Sequence, residues 1–412
     1  MGGLQTKAKS LLFTHHTKQI LQVFVNTFLG MYFLKITDGN ILKVVLYYII
    51  YYVGHALFFY AFYKFLKLPD VISYRMSLFV KLMDCIILLA LGKSIINFIY
   101  PFAVLEALAQ SLYYTSYKTM TIANNRGNQF KQYFFMCRVF EGIINLVVPA
   151  SLGFLLGKLG YSYIFVILSI VMLISFLLSF KVEASAKFKN TFDLKKFSNN
   201  IKDKKALRKI GFNSICYGLT DGGTLSLLLS LVIFMNYSNS TFGNYKGEDI
   251  LGYLTSAVAA MSIVLSYFHK RKINSSNFLI SYLPSVILTI IVAIPVSLTT
   301  KIFFLIAYRF INESIKIATT IEQDQVNYSL LPHITDKKYQ REYLYYIEFM
   351  LNVGRILGMI LIGLLYIITK DAHTLSYLFI VCTVFYLIFV LNINSLLKLQ
   401  KSNTDNSIAI QN

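Results

Sequence analysis

Tryptophan is absent from this chain, and in 412 residues proline occurs six times, histidine six times and cysteine four times. Aspartate and glutamate together number 19, against 39 lysines and arginines. Each shortage excludes something. The cysteines (Cys85, Cys137, Cys216, Cys382) all fall in apolar runs, without paired or metal-type spacing, so they read as buried thiols rather than a disulfide framework or a thiolate metal centre. The histidines include none paired inside a predicted helix, and no metal or cofactor is expected. No G-x-x-x-x-G-K-[ST] loop is present, which excludes ATP hydrolysis by that route. Few prolines leave room for long uninterrupted helices. With only 14% charged residues, 56% hydrophobic residues and a mean hydropathy of +0.59, the composition is not that of a soluble globular domain.

What the chain has instead is apolar length. Twelve apolar stretches lie near 17–36, 42–65, 76–93, 95–120, 132–157, 161–180, 209–234, 249–268, 277–299, 302–322, 342–367 and 374–396. In hydrocarbon each must satisfy its own backbone hydrogen bonds, so each is predicted to be a helix. The expected fold is an all-α polytopic membrane protein of twelve transmembrane helices. It divides into a six-helix half (1–180), a basic cytoplasmic linker (181–208), a second six-helix half (209–396) and a disordered tail (397–412).

Charge sets the orientation. One set of loops holds Lys64, Lys67 and Arg75, then Lys118, Arg126 and Lys131, then Lys270, Arg271 and Lys272, then Lys337, Lys338 and Arg341. The alternate loops hold about one base each (Lys93, Lys158, Lys246, Lys301, Lys370). The positive-inside rule makes the first set and both termini cytoplasmic. The net charge of +20 therefore points to anionic lipid headgroups as partners and not to nucleic acid. A multi-pass protein of a bacterial plasma membrane, acting as a monomer, is expected.

Ionisable residues deep in such helices cost several kcal/mol, on the order of 2.5–3.5 even on the mildest scale, and persist when paired or functional. Glu106, Asp221 and Glu313 each sit roughly eleven or twelve residues from a predicted helix end, close to the bilayer centre. Arg309 and Lys316 flank Glu313 on one helix face, so Glu313 reads either as half of an ion pair or as a proton or substrate site. Glu106 has no base within a turn of its own helix and is expected to carry a proton. Gly222 and Gly223 follow Asp221, where a helix is free to loosen. A second group lies nearer the cytoplasm: Asp84, Arg138, Glu141, Glu348 and Arg355. It reads as ion pairs that stabilise one conformation or act as gates. His55 is the one histidine expected deep in the membrane. The two halves also align at an offset of 207, with Glu106 on Glu313, Lys131 on Lys338, Glu141 on Glu348 and Asn145 on Asn352, as in a parallel repeat.

Two six-helix halves, a long basic linker and cytoplasmic termini resemble the major facilitator superfamily of secondary transporters. The stretch AFYKFLKLPDVISYRMS, with Asp70 and Arg75, is similar to that superfamily's conserved loop between helices two and three. SYFHKRKINSS stands at the equivalent place in the second half and has no acid. VVPASLGFLLG, through Pro149 and Gly153, partly resembles the antiporter motif of drug exporters. The resemblance implies that helices one, four, seven and ten line a cavity, to which Glu106, Asp221, Glu313 and, from helix one, Asn26 contribute.

The expected function is proton-coupled movement of a small solute by alternating access. The deep acids lean towards a cationic or neutral solute, and the partial antiporter motif towards export. A flippase for a lipid or lipid-linked precursor, holding phosphate on Arg138, Arg309 and Arg355, is the alternative within the same fold. A membrane-embedded transferase is the alternative from another class.

Overall fold

An apolar chain in hydrocarbon has to close its backbone hydrogen bonds internally, and the computed structural model does so with helices alone: the described residues contain no strand. They comprise 6–65, 69–124, 128–183, 192–220, 223–237, 247–270, 278–299 and 301–411. Among the described residues, eight helices are long and apolar enough to cross a membrane: Lys7–Ile36, Ile41–Lys64, Met136–Leu159, Tyr161–Ser179, Lys204–Asn236, Phe278–Thr299, Gln340–Thr369 and Ala372–Gln400. The expected third, fourth, eighth and tenth stretches also form helices, Asp70–Leu91, Ile99–Asn124, Gly247–Lys270 and Ile302–Ser329. These four are not among the eight, and they are the helices that carry Lys81, Asp84, Glu106, Glu248, Asp249 and Arg309.

The chain divides into two compact units, one of Met1–Lys189 with Leu229–Ala259 and one of Asn190–Leu228 with Ala260–Asn412. The first begins with α1 (Thr6–Phe24), a π-helical turn (Val25–Leu29) and α2 (Gly30–Ile36), which together form one rod. This rod starts some ten residues earlier than its apolar stretch suggests, because Thr14, His15, His16 and Lys18 are buried against protein rather than lipid. Next come α3 (Ile41–Lys64), α4 (Asp70–Leu91), α5 (Ile99–Asn124), α6 (Asn128–Leu159) and α7 (Tyr161–Ser179). α5 packs against α3 and α4, and α1 against α6 and α7. Arg75, at the start of α4, donates to the carbonyls of Ser179 (3.3 Å) and Val182 (3.2 Å) and lies over the Phe180 ring, tying down the end of α7.

The linker carries α8 (Leu194–Asn199), capped by the Asp193 carboxylate on the Lys196 N–H. It continues to α9 (Lys204–Thr220), α10 (Gly223–Tyr237), α11 (Gly247–Lys270), α12 (Phe278–Thr299), α13 (Ile302–Ser329), α14 (Leu331–Ile334), α15 (Gln340–Thr369) and α16 (Leu378–Gln411). α16 thus runs on through the stretch expected to be a tail. Once a helix is nucleated by its apolar part, each further residue adds a bond at little extra cost. In the second unit α9 lies against α15 so closely that a Cβ on Gly218 would strike the Leu351 carbonyl, and one on Gly354 the Ile215 carbonyl.

Candidate functional site

The first unit holds a polar interior built from three helices. Along α1 and into the π-helical turn, Lys18, Gln22 and Asn26 recur every four residues and so share a face. Lys18 Nζ donates to Gln22 Oε1 at 2.7 Å, and Gln22 Nε2 to Asn26 Oδ1 at 3.0 Å. α5 contributes Gln110, whose Oε1 lies 3.5 Å from Lys18 Nζ, and Tyr113, whose ring the ammonium overlies at 4.3 Å. One turn before Gln110 stands Glu106, ion-paired with Lys81 of α4, both side chains almost wholly buried. Asp84, three residues after Lys81, is buried with no N–H or O–H donor on either oxygen. The Glu106 carboxyl lies within hydrogen-bonding reach of it.

Glu106 is therefore not the isolated acid its own helix suggests: its cation comes from α4. Asp84 belongs with Glu106 rather than with the group nearer the cytoplasm. Lys18 and Lys81 lie in the same interior as the two acids, so the cluster is not purely anionic. Sequence reasoning overlooked both lysines because each lies near the edge of a predicted helix, where a base is ordinarily solvated.

The other expected residues are placed as follows. Arg138 and Glu141 pair at 3.0 Å on α6, partly exposed, as their spacing of three predicts. Glu348 and Arg355 of α15 approach to 4.0 Å. Arg309 is buried on α13. Asn26 is exposed at the end of its ladder. Asp221 and the side chain of Glu313 lie outside the described residues. His55 is buried, and its carbonyl accepts from Ser111 at 3.0 Å. His15 and His16 also lie inside a helix, α1, with ring centroids 4.9 Å apart, so the expectation of no paired helical histidines is corrected.

A second polar feature lies at the other end of the first unit. Glu248, at the start of α11, is buried, ion-paired with Lys35 of α2, and accepts from the Tyr161 hydroxyl at 3.2 Å. A cavity of about 850 Å³ opens beside it, lined by Tyr32, Lys35, Lys93, Tyr161 and Phe234. Pro149 and Gly153, the residues of the partial antiporter motif, face α11 here. A Cβ on Gly153 would lie 2.7 Å from the Glu248 carbonyl oxygen and 3.0 Å from Gly252 Cα. Ala150, following the proline, donates its N–H to Ser256 Oγ at 2.8 Å. The small residues of the motif serve close helix contact.

Outside the membrane-crossing segments, the linker is fastened to the second unit. The Asp193 N–H donates to Glu342 and the Lys202 N–H to the Ile334 carbonyl (2.9 Å), while Lys202 pairs with Asp336 at 2.7 Å. The Lys202 ammonium holds the Asp336 carboxyl below the usual carboxylate range, and the Lys196 backbone N–H does the same for Asp193. Phe197 of the linker is buried beside Tyr339.

Solved structures share this architecture. A bacterial metal transporter matches 97% of this chain and 100% of its own at 12% identity and a TM-score of 0.63. The POT family transporter PepTSo matches 96% and 98% at 10% identity and 0.67. A bacterial homologue of the iron transporter ferroportin, in an inward-facing state, matches 95% and 98% at 11% and 0.67. No protein-family model and no curated protein matches the sequence. The chain is a multi-pass, all-α membrane protein that shares the fold of these transporters.

Proposed function

We propose that this protein is a proton-coupled secondary transporter that moves a small solute across a bacterial plasma membrane by alternating access, with both termini cytoplasmic. The observation that carries this reading is the Lys81–Glu106–Asp84 cluster. Two carboxyls side by side in a dry interior, with one lysine bonded to one of them, are most stable when they share a proton. Loss of that proton leaves two adjacent carboxylates, and a solute or a conformational change that parts them releases it. The Lys18–Gln22–Asn26 ladder leads polar groups from this cluster along α1, suiting a solute with hydrogen-bonding or charged groups. Asp221, Glu313 and Arg309 are proposed to serve the same task in the second half. Arg138–Glu141 and Glu348–Arg355 are proposed as gate pairs. The fold supports transport as a class and leaves the solute to the site.

Two measurements test the reading. Cells producing the protein should accumulate less of a panel of fluorescent cationic dyes, and a protonophore should restore accumulation. Equal accumulation with and without the protein would remove export of cationic compounds. Independently of any solute, infrared difference spectra of the purified protein across a pH step should show a carboxylic C=O band that disappears in Asp84→Asn and Glu106→Gln. Its persistence in both variants would remove these residues as the proton site.

A further inference from the structure

Where α1 meets α6 on the expected cytoplasmic side, the structure brings together two imidazoles that the transport reading does not use and the Glu141 carboxylate of the proposed gate pair. His15, His16 and Glu141 each offer a ligand atom, all within 4.8 Å of one another. We propose that they form a binding site for a divalent transition-metal ion that ties α1 to α6.

The hydrogen bonds set the tautomers of both rings. His16 Nδ1 lies 2.7 Å from the Leu12 carbonyl one turn earlier, an acceptor, so Nδ1 carries the proton. Its Nε2, which then holds the lone pair, faces a second acceptor, the Cys137 carbonyl, at 3.1 Å. A lone pair opposed to a carbonyl oxygen is repulsive unless a positive species lies at that point, either a second proton or a metal ion. His15 Nδ1 bonds the Tyr113 hydroxyl, and its Nε2 lone pair accepts from the Gln19 amide at 3.1 Å, a neighbour on the same helix that an ion has to displace. Metal-ligating histidines are typically held this way, with the distal N–H donated to a carbonyl or hydroxyl and the other nitrogen presented to the ion. His15 stacks on Tyr117 at 4.2 Å, which fixes the ring plane.

Glu141 sits one turn after Cys137 on α6, on the same face. Its present partner is Arg138, and both side chains are partly open, 45% and 29% exposed. An ion pair this accessible contributes little and yields readily to a metal. The nearby Lys18 opposes a cation, but its ammonium is turned to Gln22 and the Tyr113 face. Two imidazoles with one carboxylate suit Zn²⁺, Co²⁺, Ni²⁺ or Fe²⁺ rather than Mg²⁺ or Ca²⁺, which prefer oxygen alone. Ligand atoms around a tetrahedral ion stand about 3.4 Å apart at ordinary bond lengths. Closure therefore needs shifts on the order of 1 Å, within reach of the Glu141 side-chain torsions.

The test is a titration of the purified, tag-free full chain with Co²⁺, read by its visible d–d absorption and by stoichiometry, in excess Mg²⁺. One equivalent is expected to bind with the intensity of a nitrogen- and oxygen-ligated ion. His16→Asn and His15→Asn should abolish the band, and Glu141→Gln should weaken binding at least tenfold. Arg138→Gln, which releases Glu141 from its rival, should tighten binding, a gain that misfolding cannot mimic. Absence of Co²⁺ binding by the wild type overturns the proposal, as does unchanged binding in both Glu141→Gln and Arg138→Gln. These last two positions are partly exposed and decide the matter even where a histidine variant fails to elute as a single species.

Discussion

A lysine ammonium and two carboxyls enclosed between membrane-crossing helices are tolerable only together. Removing one partner of a buried pair leaves an uncompensated charge and typically costs about 3–5 kcal/mol. Lys81→Met is accordingly expected to lower thermal stability sharply, and Lys81→Met with Glu106→Gln to recover most of the loss. Without tryptophan, a thiol-reactive fluorophore that reports exposure of the four buried cysteines on heating is the suitable readout. Equal melting of the single and double variants would mean that the ion pair does not stabilise the first unit. The same residues show where sequence reading stops. Glu106 was singled out because an acid in an apolar run is visible by itself. Its partner Lys81 lies 25 positions away on another helix, and only packing brings the two together.

Helices were legible because the bilayer enforces them: an apolar run of membrane length has no other way to bond its backbone. Their ends were not. α1 starts early because His15, His16 and Lys18 find protein partners, a tertiary fact that hydropathy does not register. The α6–α11 contact was visible only as a proline and small residues. The structure gives Gly153 and Gly252 their reason, a backbone approach that leaves no space for a side chain. Gly252→Val is expected to destabilise by roughly 1–3 kcal/mol through overpacking, seen as earlier cysteine exposure in the same thermal assay. Melting like the wild type would show that the helices part easily. The linker makes a separate prediction. Asp336 and Asp193 titrate below their unfolded values, so their contributions are present above the ordinary aspartate range and fade as pH falls through the depressed folded values. At neutral pH, Asp336→Asn should speed tryptic cleavage between Lys195 and Lys205. In the wild type, pepsin cleavage near Phe197 should rise only towards the acid end of that window.

For the molecule as a whole, the first unit takes in residues from beyond the linker: Leu229–Ala259 pack with Met1–Lys189. Within that unit Lys35 pairs with Glu248 and Gly153 meets Gly252, and on the proposed alternating-access mechanism this seam opens once per cycle. Replacing Lys35 and Glu248 by cysteines and joining them with a short bifunctional thiol reagent should therefore stop dye export, and a reducible reagent should make the block reversible. Export by the cross-linked protein would mean that the seam stays closed throughout. Only the introduced thiols should react, since the native cysteines are all buried.

The π-helical turn at Val25–Leu29 has a consequence for how this chain tolerates length. Such a turn accommodates one residue more than an α-helix needs while leaving the flanking faces in phase. Removing Thr27 should let the rod close into plain α-helix, with the Lys18–Gln22 face and Lys35 still directed as they are. The same deletion one turn earlier would swing everything beyond it by about 100° and part Lys35 from Glu248. The first rod of the first unit thus contains one place where the register can lose a residue without turning.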